Sequence, residues 1–353
     1  MINTASLEEE WIRTIARKQK SDPILVEKVV RALYLLELLQ QSELPFIFKG
    51  GTALMLMQAE PRRFSIDIDI IVSDKPDNIE QFFAGIIGQS DFIEYKVDER
   101  PTKSSIEKAH YKFYYQPVSN ARAASEYILL DILYEDSHYG GYTQEIAIAS
   151  PFVKADEPAI KVTVPMPEAI LGDKLTAYAP TTTGIRYGVG KEVEIIKQLF
   201  DVGHLFSMVN NMKTIASVFD QFAKTELAYR AIDASSDDVL EDIIQTGIVI
   251  CTRGKSGEGD FDQLQLGIKN IRNFIFSERF HIERAIVLSA RASYLAALIR
   301  VGGAKINRFT EPGEIAGWMI EQPFETRLNK LKKSSPEAFF YWYQTAQLIS
   351  PAK

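Results

Sequence analysis

The composition of this 353-residue chain, with 46% hydrophobic and 25% charged residues, is that of a globular protein with room for two domains. The formal net charge of −7 excludes an overall basic field that would attract nucleic acid. The single cysteine, Cys251, excludes an internal disulfide framework, and the four histidines lack the spacing of a zinc site.

The first residues predict neither a secretion signal nor a membrane segment. Met1–Lys20 carries three consecutive glutamates, Glu8–Glu10, and has no apolar run of its own. No later apolar run is long enough to cross a bilayer. We therefore expect a soluble, cytoplasmic protein without a membrane partner. The first clear helix begins at Asp22 and Pro23 and ends near Gln41.

A glycine turn follows the short predicted strand Phe46–Phe48. Gly50 and Gly51 allow the chain to turn tightly from this strand into a helix. Backbone N–H groups at such a turn can approach a phosphate closely. The turn is therefore a candidate phosphate-binding element.

Two carboxylates lie on one face of the next predicted strand, Arg63–Val72. Its strict alternation places Asp67 and Asp69 on the face opposite the apolar side chains. Without a shared cation these two carboxylates would repel each other. A phosphate-binding turn followed by such a pair is the minimum set for metal-assisted phosphoryl or nucleotidyl transfer. The alternative is a plain turn beside an exposed strand with two solvated aspartates.

The turn and the carboxylate pair belong to one longer pattern, Lys49-Gly50-Gly51-Thr52-Ala53-Leu54 followed by Arg63-x-Ser65-x-Asp67-x-Asp69. This pattern resembles the first motif of the AbiEii/AbiGii toxin family. Its members are nucleotidyltransferases of the polymerase-β-like superfamily and usually toxins of type IV toxin–antitoxin pairs. The resemblance implies an α+β fold, with a polymerase-β-like lobe on a mixed sheet and an all-helical C-terminal lobe. It also implies these nucleotide-binding residues: Lys49, Gly50, Gly51, Thr52, Arg63, Ser65 and, further on, Lys174.

A third carboxylate lies in the predicted strand Glu126–Tyr134, which follows a predicted helix and two further strands (Ile79–Gly88, Tyr95–Arg100 and Ala109–Tyr115). The strand is nearly all apolar around Asp131. A strand buried on both faces has no favourable place for an ionised carboxylate unless it is paired or bound to a metal. Asp131 matches the third carboxylate that the family carries on a strand beside the D-x-D strand. The alternative is an aspartate that caps a loop.

A lysine lies in the middle of an apolar helical face after Pro167. Lys174 is four residues from both Ile170 and Tyr178, so its ammonium must either extend to solvent or face an anion. The family has a K-L-x-A pattern on a helix here, and residues 174–177 match it. The resemblance implies that Lys174 holds the triphosphate.

The next predicted helix, Lys191–Met208, carries the last pattern of the family, R/K-D-x-x-D-L. Asp201 stands at its second carboxylate, whereas Gln198 replaces the first. Lys197 and Asp201 fall on a polar face, where the plain interpretation is a solvated ion pair. We keep Asp201 as a site residue. The role of Arg186, in the loop before this helix, stays open.

Beyond Val209 the predicted elements are all helices: Lys213–Ala231, Asp237–Cys251, Phe261–Phe276, Arg284–Arg300 and Glu337–Ile349. We therefore expect two domains. Residues 1–166 would form the α/β nucleotidyltransferase lobe. Residues 167–353 would form the helical lobe, which would contribute Lys174 and Asp201 to the cleft.

The resemblance implies a metal-dependent enzyme that transfers NMP from an NTP to an acceptor hydroxyl. Asp67 and Asp69 would bind Mg²⁺ or Mn²⁺, and Asp131 would hold a second metal and help to deprotonate the acceptor. Lys174 and Asp201 complete the implied catalytic set. A tRNA or another RNA is the implied acceptor, and a cognate antitoxin is a possible partner. Protein nucleotidylation, a nucleotide-binding regulator whose catalysis has lapsed, and a non-catalytic interaction module stay open as alternatives.

Overall fold

The structure, a computed structural model, describes residues 1–99, 107–120 and 122–350. The chain forms two compact units. Unit 1 comprises Met1–Met166 together with the short segment Asn273–Glu278. Unit 2 comprises Pro167–Arg272 and Arg279–Lys353. None of the helices in the described ranges is long and apolar enough to cross a membrane.

Unit 1 combines four α-helices with seven strands in its described part. Its helices are α1 (Glu9–Gln19), α2 (Pro23–Gln41), α3 (Gly50–Leu56) and α4 (Ile79–Gly88), and a 3-10 helix spans Thr4–Leu7. Its strands are β1 (Ile47–Lys49), β2 (Ile68–Ile71), β3 (Phe92–Val97), β4 (Glu107–Tyr115), β5 (Glu126–Tyr134), β6 (Thr143–Ala147) and β7 (Lys161–Pro165).

Five of these strands form one mixed sheet in the order β1-β2-β5-β4-β3. The pair β2–β5 is parallel, and the other neighbours in this sheet are antiparallel. Strands β6 and β7 form a separate antiparallel pair. Helix α2, capped by the Asp22 side chain, packs its largely apolar surface into the same core as the sheet. The mixed sheet confirms the predicted α+β class.

The strand that carries the D-x-D motif is shorter than predicted. It begins at Ile68 rather than Arg63; its residues Asp69–Ile71 pair with β1 and Ile68–Ile71 pair with β5. The residues before it pair elsewhere: Arg63 forms a bridge with Ile275. The backbone hydrogen-bonding groups of this stretch are therefore satisfied outside the five-stranded sheet.

The partner of the Arg63 region comes from far along the chain. The predicted helix Phe261–Phe276 is wrong beyond Asn270, since a 3-10 turn and an extended segment follow. In that segment the Phe274 carbonyl accepts a hydrogen bond from the Phe64 N–H at 2.8 Å. The rings of Phe64 and Phe276 also pack, with centroids 4.6 Å apart. Asn273–Glu278 therefore belongs to unit 1.

Unit 2 is all-helical in its described residues. Its α-helices are α5 (Pro167–Ala177), α6 (Glu192–Leu205), α7 (Met212–Tyr229), α8 (Ser236–Thr252), α9 (Phe261–Asn270), α10 (Ile282–Arg300), α11 (Leu331–Ser334) and α12 (Pro336–Ile349). Short 3-10 helices span Pro312–Ile315 and Thr326–Lys330, and another, Ile271–Asn273, lies at the boundary with unit 1. Helix α5 packs against α6 and α7, and α10 packs against α6, α8 and α12.

Candidate active site

The two halves of the first motif meet at the glycine pair. Gly50 has a left-handed φ of +78°, and a Cβ added there would lie 2.1 Å from Oδ2 of Asp69. A Cβ on Gly51 would lie 2.6 Å from Oγ of Ser65 and 2.7 Å from Nη2 of Arg63. Such distances are shorter than an ordinary van der Waals contact, so a side chain at either position would have to displace Asp69, or Ser65 and Arg63, and at Gly50 the backbone also favours glycine. The turn therefore packs directly against the carboxylate strand and the residues before it.

Two further motif residues hold the backbone around Asp67. The hydroxyl of Thr52, which is fully buried, donates to the carbonyl oxygen of Asp67 at 2.6 Å. The guanidinium of Arg63, also buried, donates to the carbonyl oxygen of Phe64 at 2.9 Å. These hydrogen bonds support the strand that carries the carboxylates. The direct nucleotide contacts of Thr52 and Arg63 stay a prediction.

Four polar residues lie side by side across four neighbouring strands. Lys49 on β1 pairs with Asp69 on β2, which is in register with Asp131 on β5. Asp131 in turn pairs with His110 on β4. Paired positions on adjacent strands place their side chains on the same face of the sheet. We call Lys49, Asp69, Asp131 and His110 the polar row.

The last pair of the polar row is in direct contact. His110 Nδ1 lies 2.7 Å from Oδ1 of Asp131, so the imidazole donates to the carboxylate. The two side chains are only 15% and 27% exposed. The expected burial of this strand on both faces is wrong, because only the face of Ile128, Leu130 and Ile132 is buried. Asp131 lies on the other face, where its partner is a histidine. Sequence reasoning missed His110, because only the register of β4 against β5 distinguishes it from the neighbouring residues of its strand.

The aspartates offer the oxygen ligands that Mg²⁺ prefers. Asp69 and Asp131 are neighbours on adjacent parallel strands, and Asp67, exposed, precedes β2 by one residue. Within residues 1–99, 107–120 and 122–350, no three or more His, Cys, Asp or Glu side chains form a metal-binding group. Mg²⁺ is usually held by one or two carboxylates plus substrate phosphates, so a complete protein cage is not required. The donor set fits such an ion.

In unit 2, Lys174 faces an anion rather than solvent. Its Nζ donates to Oε1 of Gln198 at 2.9 Å and lies 3.1 Å from Oδ2 of Asp201. Lys174 is 7% and Asp201 3% exposed, so the plain interpretation of Asp201 as part of a solvated ion pair is wrong. Asp201 is buried because this side of α6 packs against α5. The amide oxygen of Gln198 keeps a hydrogen bond to the lysine without a second negative charge.

The loop that carries Arg186 is held in place by a buried carboxylate. Oδ2 of Asp242 accepts hydrogen bonds from the N–H groups of Thr181 and Thr182, at 2.8 and 2.9 Å, and from the Thr182 hydroxyl. Burial raises the pKa of Asp242, although these hydrogen bonds oppose the rise. Arg186 itself is exposed. Sequence reasoning missed Asp242, whose partners lie about 60 residues away.

Several solved structures resemble this chain. A putative nucleotidyltransferase from Helicobacter pylori has 17% identity and a TM-score of 0.44, with 80% of this chain and 97% of that one covered. JHP933, also from Helicobacter pylori, has 15% identity and a TM-score of 0.42, with 78% and 91% covered. MenT4, a nucleotidyltransferase toxin from Mycobacterium tuberculosis H37Rv, has 12% identity and a TM-score of 0.47, with 96% and 99% covered.

The family comparison is specific. No curated protein sequence matches the chain. A family described as the nucleotidyl transferase AbiEii toxin of type IV toxin–antitoxin systems matches residues 31–278, which is more than half of the chain. This region includes the glycine turn, the polar row and the Lys174–Asp201 pair, and it confirms the resemblance seen in the sequence. The chain therefore belongs to the AbiEii nucleotidyltransferase toxin family.

Proposed function

We propose that this protein transfers NMP from an NTP to a hydroxyl group of RNA, with tRNA as the first candidate, and that an antitoxin restrains it in the cell. The observation that carries the proposal is the polar row, in which Asp69 and Asp131 are in register while Gly50 packs against Asp69. This arrangement supports a site where a phosphate-binding turn and two carboxylates act on the same phosphoryl group.

In the proposed reaction the acceptor oxygen attacks the α-phosphorus of the NTP, a new P–O bond forms, and pyrophosphate leaves. Asp131 takes the proton of the acceptor hydroxyl, and the N–H groups of Gly50 and Gly51 bind phosphate oxygens. Asp67, Asp69 and Asp131 would hold Mg²⁺ or Mn²⁺. When bound, this ion would neutralise negative charge on the phosphates.

Lys174 is proposed to bind the triphosphate. An ammonium group has three N–H donors. Among the described residues, two acceptors contact Lys174 Nζ, Gln198 and Asp201. A third donor is therefore available for a phosphate oxygen. The contact with Gln198 also weakens the argument for a lapsed enzyme, since this departure from the family pattern still gives the lysine a hydrogen-bond acceptor.

The nature of the acceptor is decided by a labelling experiment. The protein is incubated with each α-phosphate-labelled NTP and Mg²⁺ or Mn²⁺, first with total RNA and then with lysate protein. We expect label in RNA. Label in protein alone would favour protein nucleotidylation, and NTP binding without any transfer would favour the regulator.

A pair of double variants tests the metal assignment. Asp67→Asn with Asp69→Asn should abolish both transfer and calorimetric Mn²⁺ binding, because the variant lacks two anionic oxygen ligands. The matched control is Asp74→Asn with Asp77→Asn, which removes two exposed carboxylates of the same unit. Unchanged Mn²⁺ affinity in the first variant would contradict the assignment.

A further inference from the structure

The imidazole of His110 is a feature of the polar row to which the proposed reaction gives no part. It lies beside the carboxylate that would accept the proton of the acceptor hydroxyl, with Nδ1 2.7 Å from Oδ1 of Asp131. Both side chains are mostly buried, so this hydrogen bond competes little with water. We infer that His110 is a positioning residue, whose Nδ1–H group fixes the plane of the Asp131 carboxylate. This inference rests on the proposed function.

An aspartate carboxylate needs such a restraint. The torsion about its Cβ–Cγ bond has broad minima, so its oxygens move freely unless a directional partner holds them. The nearby backbone is already fixed, because β5 is hydrogen-bonded on both sides by β2 and β4. The remaining freedom of Asp131 is therefore that of its side chain. A hydrogen bond from a ring held on the neighbouring strand removes much of this freedom.

Charge balance alone is a different explanation of the contact between His110 and Asp131. It makes a different prediction about the position of the donor. If His110 served only to balance the carboxylates of the polar row, the exact place of its donor would not matter. Lys112, two residues along β4, already shows that cations are accommodated on this strand, and it pairs with Asp98 at 2.7 Å. Positioning requires an N–H group at the place of Nδ1. The two explanations therefore predict different results for amide replacements.

Three substitutions of His110 separate the explanations. His110→Asn keeps an N–H donor one bond from Cγ, where Nδ1 stands, and has no ring to carry charge. His110→Gln moves the donor one bond farther out. His110→Ala removes it. If His110 positions Asp131, His110→Ala and His110→Gln should lower kcat by about 10–100-fold, as outer-shell substitutions at metal sites do, while His110→Asn keeps most of it. The KM for NTP should change little.

A second measurement, the affinity for Mn²⁺, does not depend on turnover. Calorimetry with Mn²⁺ and a non-hydrolysable NTP analogue should show about 10–100-fold weaker Mn²⁺ binding in His110→Ala, restored in His110→Asn. Thermal unfolding of each variant reports any loss of fold. If His110→Ala does not fold, the comparison of His110→Asn with His110→Gln still tests the inference.

Failure of this inference can be distinguished from failure of the proposed function. Wild-type kcat and Mn²⁺ affinity in all three variants would overturn the inference, as would equal losses in His110→Asn and His110→Ala. If the wild type transfers no label, the proposed function fails. In that case the Mn²⁺ series still decides whether His110 positions Asp131.

Discussion

At the scale of single residues, two separate restrictions meet at Gly50, a left-handed backbone and a close side chain. Its left-handed φ would cost another residue about 1–2 kcal/mol. The closeness of Asp69 adds a second restriction, since a methyl group would have to displace the carboxylate or the turn. A shift of about 1 Å in a reacting group can cost on the order of 100-fold in rate. Under the proposed function, the restriction from Asp69 therefore bears on activity as well as on stability.

We expect Gly50→Ala to lower transfer activity by about 100-fold, because the new Cβ displaces Asp69. The matched control is Gly141→Ala in the same unit. Gly141 has a φ of +80°, and its Cβ would have no neighbour within 4 Å. Both variants share the backbone strain, which urea unfolding measures, and only Gly50→Ala has the clash. Equal activity of the two variants would show that Asp69 need not hold its position.

That the first-motif residues lie together could be predicted from the sequence, because they are close along the chain. Asp67 and Asp69 lie two residues apart, and the glycines adjoin each other. His110 could not be predicted, because its partner lies 21 residues away and the pairing depends on strand register. The burial of Asp201 was missed for a similar reason. Helical periodicity showed that it shares a face with Lys197, but not which helix covers that face.

At the scale of elements, helices α5 and α6 share a buried ion pair, Lys174 and Asp201. Removing one partner of such a pair leaves the other charge without compensation and typically costs about 3–5 kcal/mol. An activity loss in Lys174→Ala alone would therefore mix instability with loss of a nucleotide contact. Removing both charges together avoids this difficulty.

We expect Lys174→Met to lower the free energy of unfolding by about 3–5 kcal/mol and Lys174→Met with Asp201→Asn to recover part of this loss. Urea unfolding of both single variants and the double variant gives the coupling between the two side chains. Additive losses would mean that the pair is not coupled. Calorimetry on the folded double variant then tests the proposed role of Lys174, since NTP binding should be weakened.

The loop over residues 180–190 depends on Asp242, and this dependence has a predicted response to pH. Burial raises the pKa of this carboxyl above its ordinary value of 3.8. The folded state therefore binds more protons than the unfolded state between the two pKa values, and the contribution of Asp242 to stability falls as pH rises through this range. Asp242→Asn lacks this titration. Urea unfolding should show the stability of the wild type rising relative to the variant as pH falls from 7 towards 4; a constant difference would contradict this prediction.

At the scale of the whole molecule, the family assignment predicts an effect on growth. Expression in a sensitive bacterial host should slow growth if the protein consumes NTP to modify an essential acceptor. Asp67→Ala should remove this effect, because Asp67 is a proposed metal ligand and its loss would remove transition-state stabilisation. Asp74→Ala, which changes an exposed carboxylate, is the matched control. Equal inhibition by the wild type and Asp67→Ala would show that overexpression itself is harmful.

Unit 1 cannot be completed until the segment Asn273–Glu278 has been synthesised. Domains generally fold as the ribosome releases them, at about 5–20 residues per second. The N–H of Phe64 meets its acceptor in Phe274 only after five helices of unit 2, α5–α9, have been made. A nascent chain, or one truncated after Arg272, therefore lacks the pairing that precedes Asp67. In this toxin family member, the backbone around the first motif is therefore complete only after about three quarters of the polypeptide has been translated.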